Sequence, residues 1–499
     1  MFKNIQKYLL LNYPLLWNTR VVPTTIILLV INLIFFFIGL EKGKLNFFEN
    51  NNNYSYDNEA VVIFFSILVS ILILILWIVF YFKNNSFKSF YPKRTLSLFK
   101  EWSIIVFICF LISLFSCSYY YGKDVRLRSY FTEQEAKNRC ELLSKASFFV
   151  EGSYSNNYNN DYAEAAVETE FIDSTNTKND SLLFNGKNYS KFSLLNKNLN
   201  SYNFFDQKSD SIRKNTIKTW LVNQQKDSIK SVFKKYLAIA KEHKLEANID
   251  ENKWFDLIYD YPTFLNYREI GSSNINHEYY ENINQPLDSI NKYIKVVNGV
   301  KYEYYKHYVP EKSLNYNYSK ISEAWVSPNI NFGSLLIPMY FSIGLSLLIF
   351  GFRVTSGRNW LIAVISLGVI SIVLGIFTII INSDYSFASA VISLTVFTFI
   401  YFFTTISRKK SKNISGVILN AMLWLFPSLL PLIYYIILEI LQDLARPYHV
   451  SYKQSEYYPA IQFMEDFGLI FGYLNIVFIV VLMLFLSIKI KQWRSLAEG

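Results

Sequence analysis

Eight stretches of at least 20 residues contain no Asp, Glu, Lys or Arg: 21–40, 60–82, 102–122, 326–352, 359–383, 385–407, 413–438 and 467–488. About 20 apolar residues carry a helix across the hydrocarbon of a bilayer. Lipid offers no partner for open peptide groups, so uninterrupted apolar runs of this length fold as helices there. The expected fold class is an α-helical polytopic integral membrane protein with about eight transmembrane helices. Their expected bounds are about 21–40, 60–82 and 102–122 in an N-terminal membrane region (1–122). A C-terminal membrane region (329–499) holds helices at about 333–352, 359–383, 385–407, 415–438 and 467–488. Residues 123–328 stand between helices 3 and 4 as a domain of their own.

The charged residues that remain set an orientation. With the N-terminus inside, segments 1–20, 83–101, 353–358, 408–412 and 489–499 share one side and hold 17 Lys/Arg with only Glu101 and Glu498. The short loops of the other side (41–59, 384 and 439–466) hold four bases, Lys42, Lys44, Arg446 and Lys453, against ten acids. Basic residues near helix ends stay cytoplasmic. Both termini are therefore expected in the cytoplasm, residues 123–328 outside it, and the chain in the plasma membrane, a bacterial inner membrane. The net charge of +10 falls on the cytoplasmic loops. It reads as topology and attraction to membrane lipid, with no nucleic acid as partner.

Cys109, Cys117 and Cys140 are the three cysteines, and only Cys140 lies outside the apolar stretches. That excludes a disulfide framework. No small-residue cleavage site follows helix 1, which reads as an uncleaved anchor.

The inserted segment predicts a mainly α domain with a minor β part. Thr132 and Glu135 stand at capping-box spacing, with Ala136, Cys140, Leu143 and Ala146 following at helical intervals. Ile212, Ile217, Trp220, Leu221, Val232, Phe233, Tyr236 and Leu237 make a second stripe, broken near 225–228. "DENKWFDLIYDYP" predicts a short helix stopped by Pro262. Asn298–Gly299 between β-formers predicts a hairpin. "PEKSLNYNYSKISEAW" predicts a last helix before Pro328.

Chemistry is sparse. His243, His277, His307 and His449 do not pair at metal-ligand spacing. There is no phosphate-binding loop and no nucleophile elbow. The chain is therefore not expected to be an enzyme: no catalytic, cofactor-binding or metal residue is assigned, and no cofactor. The membrane stretches hold no ionisable side chain, which argues against ion-coupled transport. Asn32, Asn420 and Asn475 within them read as hydrogen-bonding neighbours between helices. Gly468 and Gly472, and Gly368 and Gly375, offer small faces for packing. Pro427 and Pro431 should bend helix 7.

"SFKSFYPKRTLSLFKEW", residues 86–102, places Leu96, Phe99 and Trp102 on one helical face with Lys100 off it. Two readings stand: an interfacial helix formed by Leu96, Phe99, Lys100 and Trp102, or a plain basic loop with aromatic anchors. The order of parts over 86–494 resembles the membrane subunits of ABC exporters that carry a large extracytoplasmic domain. That resemblance implies an elbow helix at 86–102, with the N-terminal segment an equal candidate for it. It also implies a re-entrant pair before the last helix, a separate cytoplasmic ATPase, and action as a pair, here a homodimer. Helices 1 and 2 are extra to that layout. The turn "GFRVTSGRNW" would grip the ATPase through Arg353, Arg358 and Trp360. The expected function is a permease-like subunit of an ATP-driven exporter. The alternative is a non-transporting envelope scaffold or sensor whose outside domain binds a partner.

Overall fold

The fold is given by a computed structural model, which describes residues 7–8, 10–48, 59–85, 96–151, 181–199, 209–278, 290–381, 385–407, 412–445 and 455–494. It is mostly helical. Among the described residues, seven helices are long and apolar enough to cross a membrane, or eight if one bent pair counts as a single span. The chain divides into two compact units.

The first unit comprises residues 1–38, 59–121 and 330–499. Its helices are α1 (Pro14–Thr19), α2 (Val21–Lys42), α3 (Glu59–Asn85), α4 (Ser97–Ser113), α5 (Phe115–Arg128), α11 (Phe332–Val354), α12 (Gly357–Ile381), α13 (Ser386–Ser407), α14 (Lys412–Leu425), α15 (Leu429–Ala445) and α16 (Tyr458–Arg494). Each expected span has its helix here. The third is the bent pair, α4 and α5 meeting at 50° around Leu114.

Helix α4 starts at Ser97, before the expected span begins at Trp102, because its buried seam starts earlier. Leu98, Trp102, Ile105, Cys109 and Ile112 are all buried at intervals of three and four residues, one continuous helical face. They pack into two cores. One joins Leu98 and Trp102 to Leu347, Phe350, Met422 and Met483; the other joins Ile105 and Ile112 to Leu28, Trp77 and Phe115.

The small-residue faces behave differently from one another. A Cβ on Gly472 would lie 2.8 Å from Leu336 Cδ1, so this glycine lets α16 approach α11. Gly368 and Gly375 on α12 have nothing within 4 Å of where a Cβ would stand; no described neighbour packs there.

The second unit comprises residues 39–58 and 122–329. Its helices are α6 (Glu133–Ser147), α7 (Ser209–Val222), α8 (Lys226–Glu242), α9 (Glu251–Ile258) and α10 (Glu311–Val326). The strands are β1 (Ser181–Phe184), β2 (Lys187–Ser190), β3 (Ile275–Glu278), β4 (Lys292–Val297) and β5 (Val300–Tyr305). β1 and β2 form a two-stranded sheet, and the second sheet has order β3-β5-β4. The Asn298–Gly299 turn joins β4 to β5 with φ of 51° and 82°, both in the left-handed region that this pair tolerates. Asn185–Gly186 joins β1 to β2 in the same way, at 49° and 74°.

The core of this unit is aromatic. Phe233 and Trp254 stack at 4.1 Å, and Phe149 meets Phe233 edge-on at 5.0 Å. The Trp254 indole donates to the Phe149 carbonyl at 3.4 Å. Thr132 caps α6 by accepting from the Glu135 amide, while the Glu135 carboxylate pairs with Arg139 at 3.0 Å. Asp250 caps α9. Gly271 sits under Tyr305, whose Cγ would be 2.2 Å from any Cβ there.

Candidate functional site

The membrane unit holds a buried charge cluster at one end of three helices. Glu101 stands one turn into α4, Arg353 next to last in α11, and Tyr81 near the end of α3. Arg353 Nε lies 3.0 Å from Glu101 Oε1, and the Tyr81 hydroxyl donates to the same oxygen at 2.8 Å. Their exposures are 4% for Glu101, 2% for Arg353 and 1% for Tyr81. A charge this deep is stable only when paired and hydrogen-bonded. Beside it, Trp102 Nε1 donates to Ser346 Oγ at 3.1 Å, a second polar tie between α4 and α11.

Two helix breaks form the other polar sites. At the α4–α5 bend, Asn32 Nδ2 donates to Leu111 O at 3.0 Å and its Oδ1 accepts from Ser118 Oγ at 2.6 Å. Ser70 Oγ shares its one proton between Ser66 O at 2.7 Å and Ile112 O at 3.1 Å. Side chains from α2 and α3 thus hold peptide carbonyls at the bend.

The second break is a 3-10 turn, Phe426–Ser428, between α14 and α15. Pro431 has no N–H, so Pro427 O loses its helical donor four residues on. Asn475 Nδ2 supplies one at 3.1 Å and also reaches Tyr340 Oη at 2.8 Å. Tyr340 Oη donates in turn to Gly472 O at 2.9 Å. The two prolines thus act through one turn and a side-chain substitute for one missing amide.

Helices α11, α12 and α14 meet through asparagines and glycines. Asn420 Nδ2 donates to Thr355 Oγ1 at 2.9 Å. A Cβ on Gly351 would lie 2.4 Å from Asn420 Oδ1, and one on Gly416 would lie 2.5 Å from Asn359 Nδ2. Asn32, Asn420 and Asn475 therefore each tie their own helix to another segment of the membrane unit.

The residues singled out in the sequence separate. Arg353 is buried against Glu101 and is not presented at the surface; the apolar-run boundary, drawn at each charged residue, put both groups in loops. Arg358 is exposed. Trp360 is half-buried: its indole donates to Leu348 O at 2.9 Å and its ring meets those of Phe352 and Trp424 edge-on. Trp102 points into the core at 2% exposure, while Leu96 and Lys100 are exposed and Phe99 half-buried. Residues 86–95 of the same segment lie outside the described residues.

The pairing of Glu101 with Arg353 was missed because it joins positions 252 residues apart. One signal pointed to it: Glu101 is one of only two acids on the expected cytoplasmic side.

In the second unit a groove of about 570 Å³ runs between α6, α7 and α8, its walls including Arg139, Lys145, Trp220 and Lys235. Among the described residues no group of three or more His, Cys, Asp or Glu is placed to hold a metal ion.

The fold defines a multi-pass helical membrane protein. No family model, no curated protein and no solved structure matches the chain.

Proposed function

We propose that this protein is a permease-type membrane subunit that moves a substrate outward and is driven by a separate ATPase. The observation that carries the reading is the pair of broken spans braced by side chains from other helices. Such carbonyls exchange one hydrogen-bond partner for another without unfolding a helix, so the breaks serve as hinges. The buried Glu101–Arg353–Tyr81 cluster then keeps three helix ends moving as one body. The chain has no phosphate-binding loop, so ATP-driven work needs a partner protein. With Arg353 buried and Trp360 half-buried, the docking candidates that stay exposed among the described residues are Arg358, Leu96 and Lys100. Residues 123–328 face the outside of the cell in this reading.

Isolation in mild detergent with mass spectrometry of bound proteins tests it. An ATPase should co-purify, and Arg358→Gln should weaken its retention. Absence of any ATPase across mild detergents would replace this reading with a scaffold or sensor. The groove bordered by Arg139 and Trp220 favours that second reading, as a place for an envelope partner.

A further inference from the structure

We propose that His243 is an acid-sensitive catch, which holds the 43–48 segment on the rest of the second unit while neutral and releases it when protonated. The segment follows α2 and packs against Tyr130, His243 at the end of α8, and α10. Phe47 stacks face to face on the His243 ring at 3.8 Å, with 12° between planes. The segment's backbone is tied down at three further points. Leu45 N donates to Tyr130 Oη at 3.0 Å, Asn317 Nδ2 to Asn46 O at 3.3 Å, and Ser313 Oγ to Phe47 O.

Hydrogen-bond valence makes the contact depend on charge. Tyr318 Oη lies 2.9 Å from His243 Nε2 and 3.1 Å from Arg139 Nη1. Guanidinium nitrogens only donate, so the hydroxyl oxygen accepts from Arg139. A neutral ring with Nε2 unprotonated gives the hydroxyl's single proton an acceptor. In the imidazolium both ring nitrogens carry protons. Nε2–H and Nη1–H would then both aim at one oxygen, and the tyrosine proton would lose its acceptor.

The surrounding charges do not reverse this. Glu242, on the helix that ends at His243, favours the cation, but its carboxylate is engaged by Arg139 at 2.8 Å. Arg139 also holds Glu135 at 3.0 Å and opposes a second cation. Phe131 meets the His243 ring edge-on at 6.4 Å. Lys44 of the segment pairs with Glu41 of α2 at 2.6 Å, both exposed. The Phe47 face attracts a cation weakly. Burial is the largest influence and pushes His243 below the ordinary histidine range; Glu242 opposes it and Arg139 adds to it. A histidine held low in the folded state contributes its full stability above its unfolded value, about 6.5. That contribution is lost as pH falls below it.

Hydrogen exchange on the full chain in detergent tests the catch. Protection of the 43–48 amides, corrected for intrinsic rates, should fall about tenfold between about pH 7.5 and pH 5. His243→Phe keeps the stack, and His243→Gln keeps an acceptor for Tyr318; neither titrates, and both should retain protection at the lower pH. Unchanged protection in the parent, or equal loss in folded variants, overturns the proposal. The parent alone gives an independent reading. With ¹⁵N-labelled histidine, the midpoint of His243 titration must coincide with that of lost protection, and separate midpoints overturn it too.

Discussion

Arg353 Nε and Glu101 Oε1 meet at 3.0 Å across 252 residues of sequence, and Tyr81 donates to the same carboxylate oxygen. Three helices are thereby pinned at one end by charge, in a part of the molecule otherwise packed with Leu, Ile and Phe. Removing either charge takes this contact from a group that solvent does not reach.

Arg353→Gln or Glu101→Gln alone should destabilise the membrane unit by roughly 3–5 kcal/mol. Arg353→Met with Glu101→Leu should cost less than either single change, because both buried charges leave together. Arg358→Gln, at an exposed position, should stay within about 0.5 kcal/mol of the parent. Reversible unfolding in mixed detergent micelles reads all four. Single variants as stable as the parent would remove the cluster from any structural account.

Asn475→Leu leaves Pro427 O without a donor, at a cost of about 1–3 kcal/mol. Pro431→Ala restores the main-chain amide that Asn475 replaces. The double variant should therefore recover most of the loss, and the same micelle titration shows it. If the two changes simply add, Asn475 serves some purpose other than completing the turn.

Gly271→Ala should disrupt the second unit, since its Cβ would overlap the Tyr305 ring. Overpacking of this kind costs about 1–3 kcal/mol. Limited proteolysis of the full chain should cut this unit sooner than in the parent. Gly416→Ala, which would press on Asn359 in the membrane unit, should leave that cleavage unchanged.

Burial brings Lys197 down to about 8, against the attraction of Glu269 and Glu151. Above about pH 10.4 the unfolded chain sheds this proton as well. Between these values the unfolded state holds more protons, so stability rises with pH over that window. Lys197→Met should lack this contribution. The stability difference between parent and variant should therefore move in the parent's favour from pH 8 upward, and a difference flat with pH would refute it. Lys218, also lowered to about 8 by burial, acts equally in both proteins and cancels.

Orientation is tested by cysteines at Ser211 and Ser411 on a background without the three native ones. The Ser211 position should react with an impermeant thiol reagent in intact spheroplasts, and the Ser411 position only after lysis. Protection at 211 in intact cells would invert or abolish the proposed topology.

Much of the architecture was readable because the forces behind it are local or periodic. Charge-free runs located the spans, the Asn298–Gly299 pair located a hairpin, and Pro427 with Pro431 located a helix break. The buried cluster was not readable, since nothing local to Glu101 reveals Arg353. The same limit hid the burial of Trp102. Leu96, Phe99 and Trp102 share a face by spacing, yet the seam that packs runs through Leu98, Trp102 and Ile105, one register over. Which of two neighbouring apolar faces is buried is decided by the partner helix. The docking of Phe47 on His243 was hidden for the same reason, in a stretch whose composition reads only as a short loop.

Each broken span is completed by a side chain from elsewhere in the chain, and this bears on how the protein enters the membrane. A helix delivered with an unmet carbonyl is costly in hydrocarbon. Asn32 precedes the bend at Leu114, so it is already in place when the α4–α5 span emerges from the ribosome. Asn475 follows Pro427 by 48 residues. The α14–α15 span must therefore wait, shielded by the insertion machinery or by lipid headgroups, until α16 arrives. Biogenesis of the two halves should accordingly differ, with the C-terminal half released from the machinery only after its last helix has been made.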